Sequence, residues 1–171
     1  MAKYKQRISD RILKRKVLGK GAVLIEGPKW CGKTTTAKQL AKSVLDLGDS
    51  SVLKQSAQLI ELSPKTLLEG KTPRLIDEWQ ALPLIWDSIR SEVDKRGEPS
   101  QFILTGSSVL PEADETIHSG TGRFAYIKMR PMSLYESGES NGTVSLTDLF
   151  EGKPFDTQSN DLTIDEIAYL T

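Results

Sequence analysis

Eight consecutive residues, Gly27-Pro28-Lys29-Trp30-Cys31-Gly32-Lys33-Thr34, carry the spacing G-x-x-x-x-G-K-[ST] at every fixed position. Each fixed residue answers a physical demand of holding a polyphosphate. Glycines let backbone N–H groups close around phosphate oxygens, and a helix that follows directs its positive dipole end at the same anion. Lys33 is the cation for the β- and γ-phosphates, and Thr34 offers a hydroxyl to Mg²⁺, which takes oxygen ligands and keeps several waters. Thr35 continues the cradle into the helix. A chance match in a chain of this length has a probability on the order of 1%. The bland alternative is a glycine-rich turn with a solvated lysine.

Asp77 and Glu78 stand about forty residues further on, at the end of an apolar stretch. Adjacent residues at a strand end point to different sides. Asp77 can therefore serve a magnesium ion while Glu78 polarises an attacking water as general base. Thr105, Ser107 and Ser108 follow the next apolar run, where a hydroxyl can face a γ-phosphate or the attacking water; ordinary capping of a turn is the competing role. Arg123 is a candidate cation for charge developing on a transferred phosphoryl group, supplied within the chain or to a neighbouring subunit.

Three loop residues admit two roles each. Cys31, beside Lys33, is either a reactive thiolate or a small side chain that fits its loop. Trp30 contacts base or ribose, or it is a loop-tip or packing residue. His118 has no partner ligands and reads as loop surface.

The elements that must position these residues follow from apolar periodicity. Ser9 or Asp10 caps a short helix bearing Ile12, Leu13 and Val17, broken at Gly19-Lys20-Gly21. Ala22 to Glu26 reads as a buried strand ending at the glycine loop. Ala37, Leu40, Ala41 and Val44 then recur at helical spacing, with Gly48 as the stop. Ser51 to Leu53 is a short strand candidate and Gln58 to Leu62 a helix candidate. Arg74 to Glu78 is the next strand, Pro83 opens a helix bearing Ile85, Trp86, Ile89 and Val93 that ends at Gly97, and Phe102 to Thr105 is a further strand. Phe124 to Met129 is the last. Thr163 and Glu166 form a capping-box signature for a final helix. Strands alternating with helices predict an α/β fold of the P-loop NTPase class, a parallel sheet flanked by helices on both faces in three αβα layers.

Composition narrows the classes. The chain has 171 residues, 37% apolar and 27% charged, which suits one packed domain. Within it we expect a basic lead-in helix over 1–20, a nucleotide-binding core over 21–150, and the start of a truncated lid or linker over 151–171. The longest aliphatic run, Ala22-Val23-Leu24-Ile25, is far short of a membrane span of about 20 residues, and the N-terminus lacks a secretory signal, so a cytoplasmic location is expected. One Cys and one His exclude an intrachain disulfide and every zinc pattern of paired Cys and His. Net charge is zero, from 23 basic and 23 acidic residues, but residues 1–20 hold eight Lys or Arg against Asp10 alone. That segregation leaves nucleic acid as a weakly supported partner beside a plain solvated face.

With these residues in place, the sequence resembles a family of prokaryotic AAA-like P-loop ATPases whose longer members carry a C-terminal domain with a restriction-endonuclease-like fold. The resemblance runs through Gly27 to Thr34, Pro73-Arg74-Leu75-Ile76-Asp77-Glu78-Trp79-Gln80, Phe102-Ile103-Leu104-Thr105-Gly106-Ser107, His118-Ser119-Gly120 with Gly122-Arg123, and Met129-Arg130-Pro131-Met132-Ser133-Leu134-Tyr135-Glu136-Ser137-Gly138. It implies Walker A at the first block, Walker B at the second, a sensor near Thr105 to Ser107, and an arginine finger at Arg123. It also implies ATP and Mg²⁺ as ligands, a homo-oligomer through Arg123, and a C-terminal domain beyond Thr171 as partner. Three functions compete on sequence: an ATP hydrolase, a nucleotide-operated switch with little turnover, and a small-molecule kinase. A water-activating Glu78 disfavours the kinase.

Overall fold

The computed structural model describes residues 4–107 and 121–154. Ser108, His118 and the capping-box pair Thr163 and Glu166 lie outside the described residues. The chain divides into two compact units: Ile8–Pro131, and a second in which residues 4–7 join the segment that begins at Met132. Residues 132–150, grouped on sequence with the nucleotide-binding core, belong to the second unit.

The first unit is built on a five-stranded parallel sheet in the order β2-β3-β4-β1-β5. Its strands are β1 (Ala22–Glu26), β2 (Ser43–Asp46), β3 (Arg74–Asp77), β4 (Phe102–Gly106) and β5 (Phe124–Lys128). Side chains alternate across the sheet and fill two separate cores, as a parallel sheet covered on both faces requires. Ala22, Leu24, Ile76, Phe102, Leu104 and Phe124 face one side. Val23, Ile25, Leu75, Ile103 and Ile127 face the other. The three-layer α/β fold expected from the sequence is the fold observed.

The second of these faces is covered by α1 (Ile8–Gly19), which buries Leu13 and Val17, and by α2 (Lys33–Lys38), which buries Ala37. The first is covered by α3 (Ser50–Leu62), α4 (Pro64–Leu67) and α5 (Ile85–Arg96). Gly97 ends α5 at φ 64°, a left-handed conformation that glycine adopts without a Cβ penalty.

Two sequence expectations fail between the glycine loop and β3. Val44 is not helical. The loop helix stops after six residues, the Lys42 N–H donates to Pro73 O at 2.8 Å, and Ser43–Asp46 pairs in register with Arg74–Asp77. Strand pairing there buries Leu45, and Leu47 just beyond it, which local helical spacing does not reveal. Ser51 to Leu53 is not a strand but the first turn of α3. The Asp49 carboxylate accepts from Ser51 N at 2.7 Å and Val52 N at 3.3 Å, so it caps the helix.

Hydrogen bonds from the Ser51 side chain and backbone, joined by Val52 N–H, hold the Asp49 carboxyl below its ordinary value. A depressed folded-state pKa adds stability above the unfolded value and loses it as pH falls through the folded one. Asp49→Ala is therefore expected to lower the urea midpoint at pH 7, with the gap to the parent closing as pH drops below the ordinary carboxyl range.

In the second unit, Ser133 caps α6 (Leu134–Ser137) in a capping box with Glu136, and Arg7 Nε donates to Glu136 Oε1 at 3.0 Å. A short α7 (Leu146–Phe150) follows.

Candidate nucleotide site

All strands run parallel, so β1, β4 and β3, adjacent in the sheet, deliver their C-terminal ends to one edge. Glu26 leads into the glycine loop there, Thr105 lies opposite both Ile25 and Asp77 in register, and Glu78 follows Asp77 directly. The fold thus brings together the loop, the acidic pair and the Thr105–Ser107 segment. This is the edge at which open α/β sheets bind ligands.

Within the loop, Lys33 is buried, and its Nζ donates to Gly27 O at 2.9 Å and Pro28 O at 2.8 Å. The ammonium is held over the loop by carbonyls that a phosphate can replace. Gly32 takes φ 96°, turning the chain into α2, whose Thr36 N–H donates back to Gly32 O at 2.9 Å. Thr35 is exposed on the first turn, and Pro28 and Lys29 are exposed on the loop.

Trp30 adopts φ 65°, where an L side chain costs about 1–2 kcal/mol, and the residue is 92% exposed, with Lys29 Nζ 5.7 Å from the ring centroid. A packing role for Trp30 is thereby set aside. Cys31 is buried, with Sγ 4.0 Å from Met129 O, and it fills its loop as a small side chain.

Asp77 is the hub of the polar cluster. Its Oδ1 accepts from Thr34 Oγ1 at 2.9 Å and from the fully buried Thr105 Oγ1. Thr34 and Asp77, predicted to share a metal, thus lie in direct contact, and Thr105 donates to the same carboxylate. Glu78 takes a left-handed backbone conformation, φ 53° and ψ 46°. Its Oε2 accepts from Gln80 Nε2, which also donates to Ser107 Oγ at 3.3 Å.

Glu26 lies across from Lys128 in register. Burial raises its carboxyl above the ordinary value, and the nearby Lys128 charge partly offsets this.

Arg123 is elsewhere. It precedes β5, its carbonyl accepts from Ala22 N at 3.3 Å, and its guanidinium donates to Asp94 of α5. Because β5 is parallel to β1, that end is a full strand length, roughly 16 Å, from the glycine loop. Arg123 therefore does not join Lys33 and Glu78 in the site of its own chain. Sequence reasoning also missed Gln80 as a partner of Glu78; its signal was only an amide two residues after an acid.

A family model described as an AAA domain matches residues 19–138, more than half of the chain. The chain belongs to this AAA domain family. The AAA domain is a P-loop ATPase-like nucleotide-binding domain. It is 27% identical over 120 residues to uncharacterized proteins of Mycobacterium bovis and Mycobacterium tuberculosis. The matched region covers 69% of this chain and 27% of each relative, so it spans about a quarter of their length. Among solved structures, it is similar to PCH-2 of C. elegans at 16% identity and a TM-score of 0.40, over 87% of this chain and 48% of that one. Among the described residues, no helix is long and apolar enough to cross a membrane.

Proposed function

We propose that this AAA domain binds ATP with Mg²⁺ and hydrolyses it, as the N-terminal part of a longer protein that works in the cytoplasm. The observation that carries this reading is the contact of Thr34 Oγ1 with Asp77 Oδ1 at the base of the loop, with Glu78 alongside. A hydroxyl and one carboxylate are hard oxygen donors that suit Mg²⁺. Among the described residues no group of three or more His, Cys, Asp or Glu could hold a metal by itself. That pattern fits an ion bound largely through substrate phosphates and water. When bound, Mg²⁺ neutralises charge on the phosphate oxygens.

The chain's own residues then divide the work. Lys33 exchanges its bonds to Gly27 O and Pro28 O for phosphate oxygens, and the backbone from Gly27 to Thr35 wraps the polyphosphate. Thr105 holds Asp77 in place. Glu78 accepts the proton of the attacking water, and Ser107 faces the terminal phosphate. Arg123 acts in trans, supplied to the site of a second copy, since it lies at the far end of its own sheet. In the longer protein, a C-terminal domain with a restriction-endonuclease-like fold is the natural partner of this module.

Phosphate release tests the reading. We expect slow release from ATP that needs Mg²⁺, stops with EDTA, and rises more steeply than linearly with protein concentration. Binding of ATP without release at any concentration would favour the nucleotide-operated switch instead.

A further inference from the structure

Trp79, Gln80 and Gly106 converge just beyond the acidic pair, and the hydrolytic reading gives none of them a role. Trp79 and Gln80 lie in the short 3-10 turn Trp79–Ala81, immediately after Glu78. The Gln80 amide nitrogen donates to Glu78 Oε2 and, at 3.3 Å, to Ser107 Oγ. Its Oε1 is buried without a hydrogen-bond partner, and so is Trp79 Nε1, whose residue is only 1% exposed.

One orphan is an acceptor and the other a donor, and both face Gly106. A Cβ at Gly106 would lie 2.6 Å from Gln80 Oε1 and 2.9 Å from Trp79 Nε1. Turning the amide over would set its oxygen against the Glu78 carboxylate, placing like poles together. The bond to Glu78 therefore sets which way the Gln80 amide faces, and the absence of a side chain at Gly106 leaves room for its oxygen.

We infer that Gln80, given room by Gly106, is the positioning residue that holds the Glu78 carboxylate and links it to Ser107. This inference rests on the hydrolytic reading above. In this role Gln80 acts through Glu78. A general base works only when its oxygen stands within hydrogen-bond reach of the water it deprotonates, and the bond from Gln80 Nε2 is what fixes Glu78 Oε2. The shared amide also makes the state of Ser107 felt at Glu78.

The test combines kinetics with a readout that does not depend on turnover. Gln80→Glu keeps the shape but removes the donor, and Gly106→Ala keeps Gln80 but intrudes on its oxygen. Both are expected to lower kcat on the order of 10- to 100-fold, with KM and ATP affinity within about twofold of the parent. In ¹⁵N spectra of the labelled chain, the Gln80 side-chain amide should stand apart from those of solvated glutamines and move in Glu78→Ala. A Gln80 amide resonating with the solvated ones, or unchanged kcat in both variants, overturns the inference. A KM that rises in step with the loss of kcat overturns it too, since the role would then lie in binding. No phosphate release from the parent would overturn the hydrolytic reading itself, and with it this role; release from the parent with unaltered variants overturns this role alone.

Discussion

Glu78→Gln is expected to reduce phosphate release by about 10²- to 10⁴-fold, the usual contribution of a positioned general base, while ATP affinity stays within about twofold of the parent. Glutamine keeps the size and the acceptor oxygen of Glu78, so the bond from Gln80 Nε2 survives and the turn after β3 keeps its anchor. What is lost is the ability to take a proton. Lys33, Thr34 and Asp77 remain as they are, with Thr34 Oγ1 still 2.9 Å from Asp77 Oδ1, so binding is spared. Phosphate release and calorimetric titration on the same samples separate the two effects. A variant that turns over at the parental rate would remove Glu78 from the chemistry. One that fails to bind ATP would make it a ligand-holding residue instead.

Trp86→Ala is expected to cost about 3–5 kcal/mol of folding free energy, a large share of the roughly 5–15 kcal/mol that a domain of this kind has. Trp86 is 1% exposed. Its ring stacks on Phe124 of β5 with centroids 4.3 Å apart and lies 5.0 Å from Trp79, so it ties α5 both to the sheet and to the turn that follows Glu78. Alanine leaves a cavity where α5, β5 and the turn after Glu78 meet. Urea unfolding followed by circular dichroism measures the loss. A change below about 1 kcal/mol would show that this aromatic cluster is not the keystone of the α5 layer. Trp86→Phe, which keeps the stacking face, should lose much less.

The strands that carry the site were legible because each is a short run with an apolar centre, punctuated by the residues that do the chemistry. Ala22–Glu26 empties into the glycine loop, Arg74–Asp77 into Glu78, and Phe102–Gly106 into Ser107. A parallel sheet then forces all three ends to one edge, so topology turns sequence punctuation into a site. The edge strand was not legible in the same way. Ser43–Asp46 buries one of its four residues, and Val44 stays exposed, so its apolar residues continue the helical spacing of Ala37, Leu40 and Ala41 by coincidence. The start of α3 depended on the Asp49 cap, which competes locally with β-branched Val52 and wins because two N–H groups of the first turn gain an acceptor.

Arg123 shows the limit of spacing arguments most plainly. Its distance in sequence from Glu78 is compatible with either end of the sheet, and only the parallel direction of β5 assigns it to the far one. Gln80 was invisible for the opposite reason. It sits next to the site in sequence, but its role depends on a left-handed turn at Glu78 and on the room left by Gly106, neither of which residue type announces.

The most direct test of the nucleotide site is calorimetric titration of ATP, with Mg²⁺, into the chain and into Lys33→Ala. Saturable binding by the parent is expected, weakened by about 100-fold or more in the variant, or roughly 2.7 kcal/mol for losing a charge-assisted contact to phosphate. Equal affinity in the two proteins, or no binding by the parent, would contradict the assignment of Gly27 to Thr35 as the nucleotide cradle.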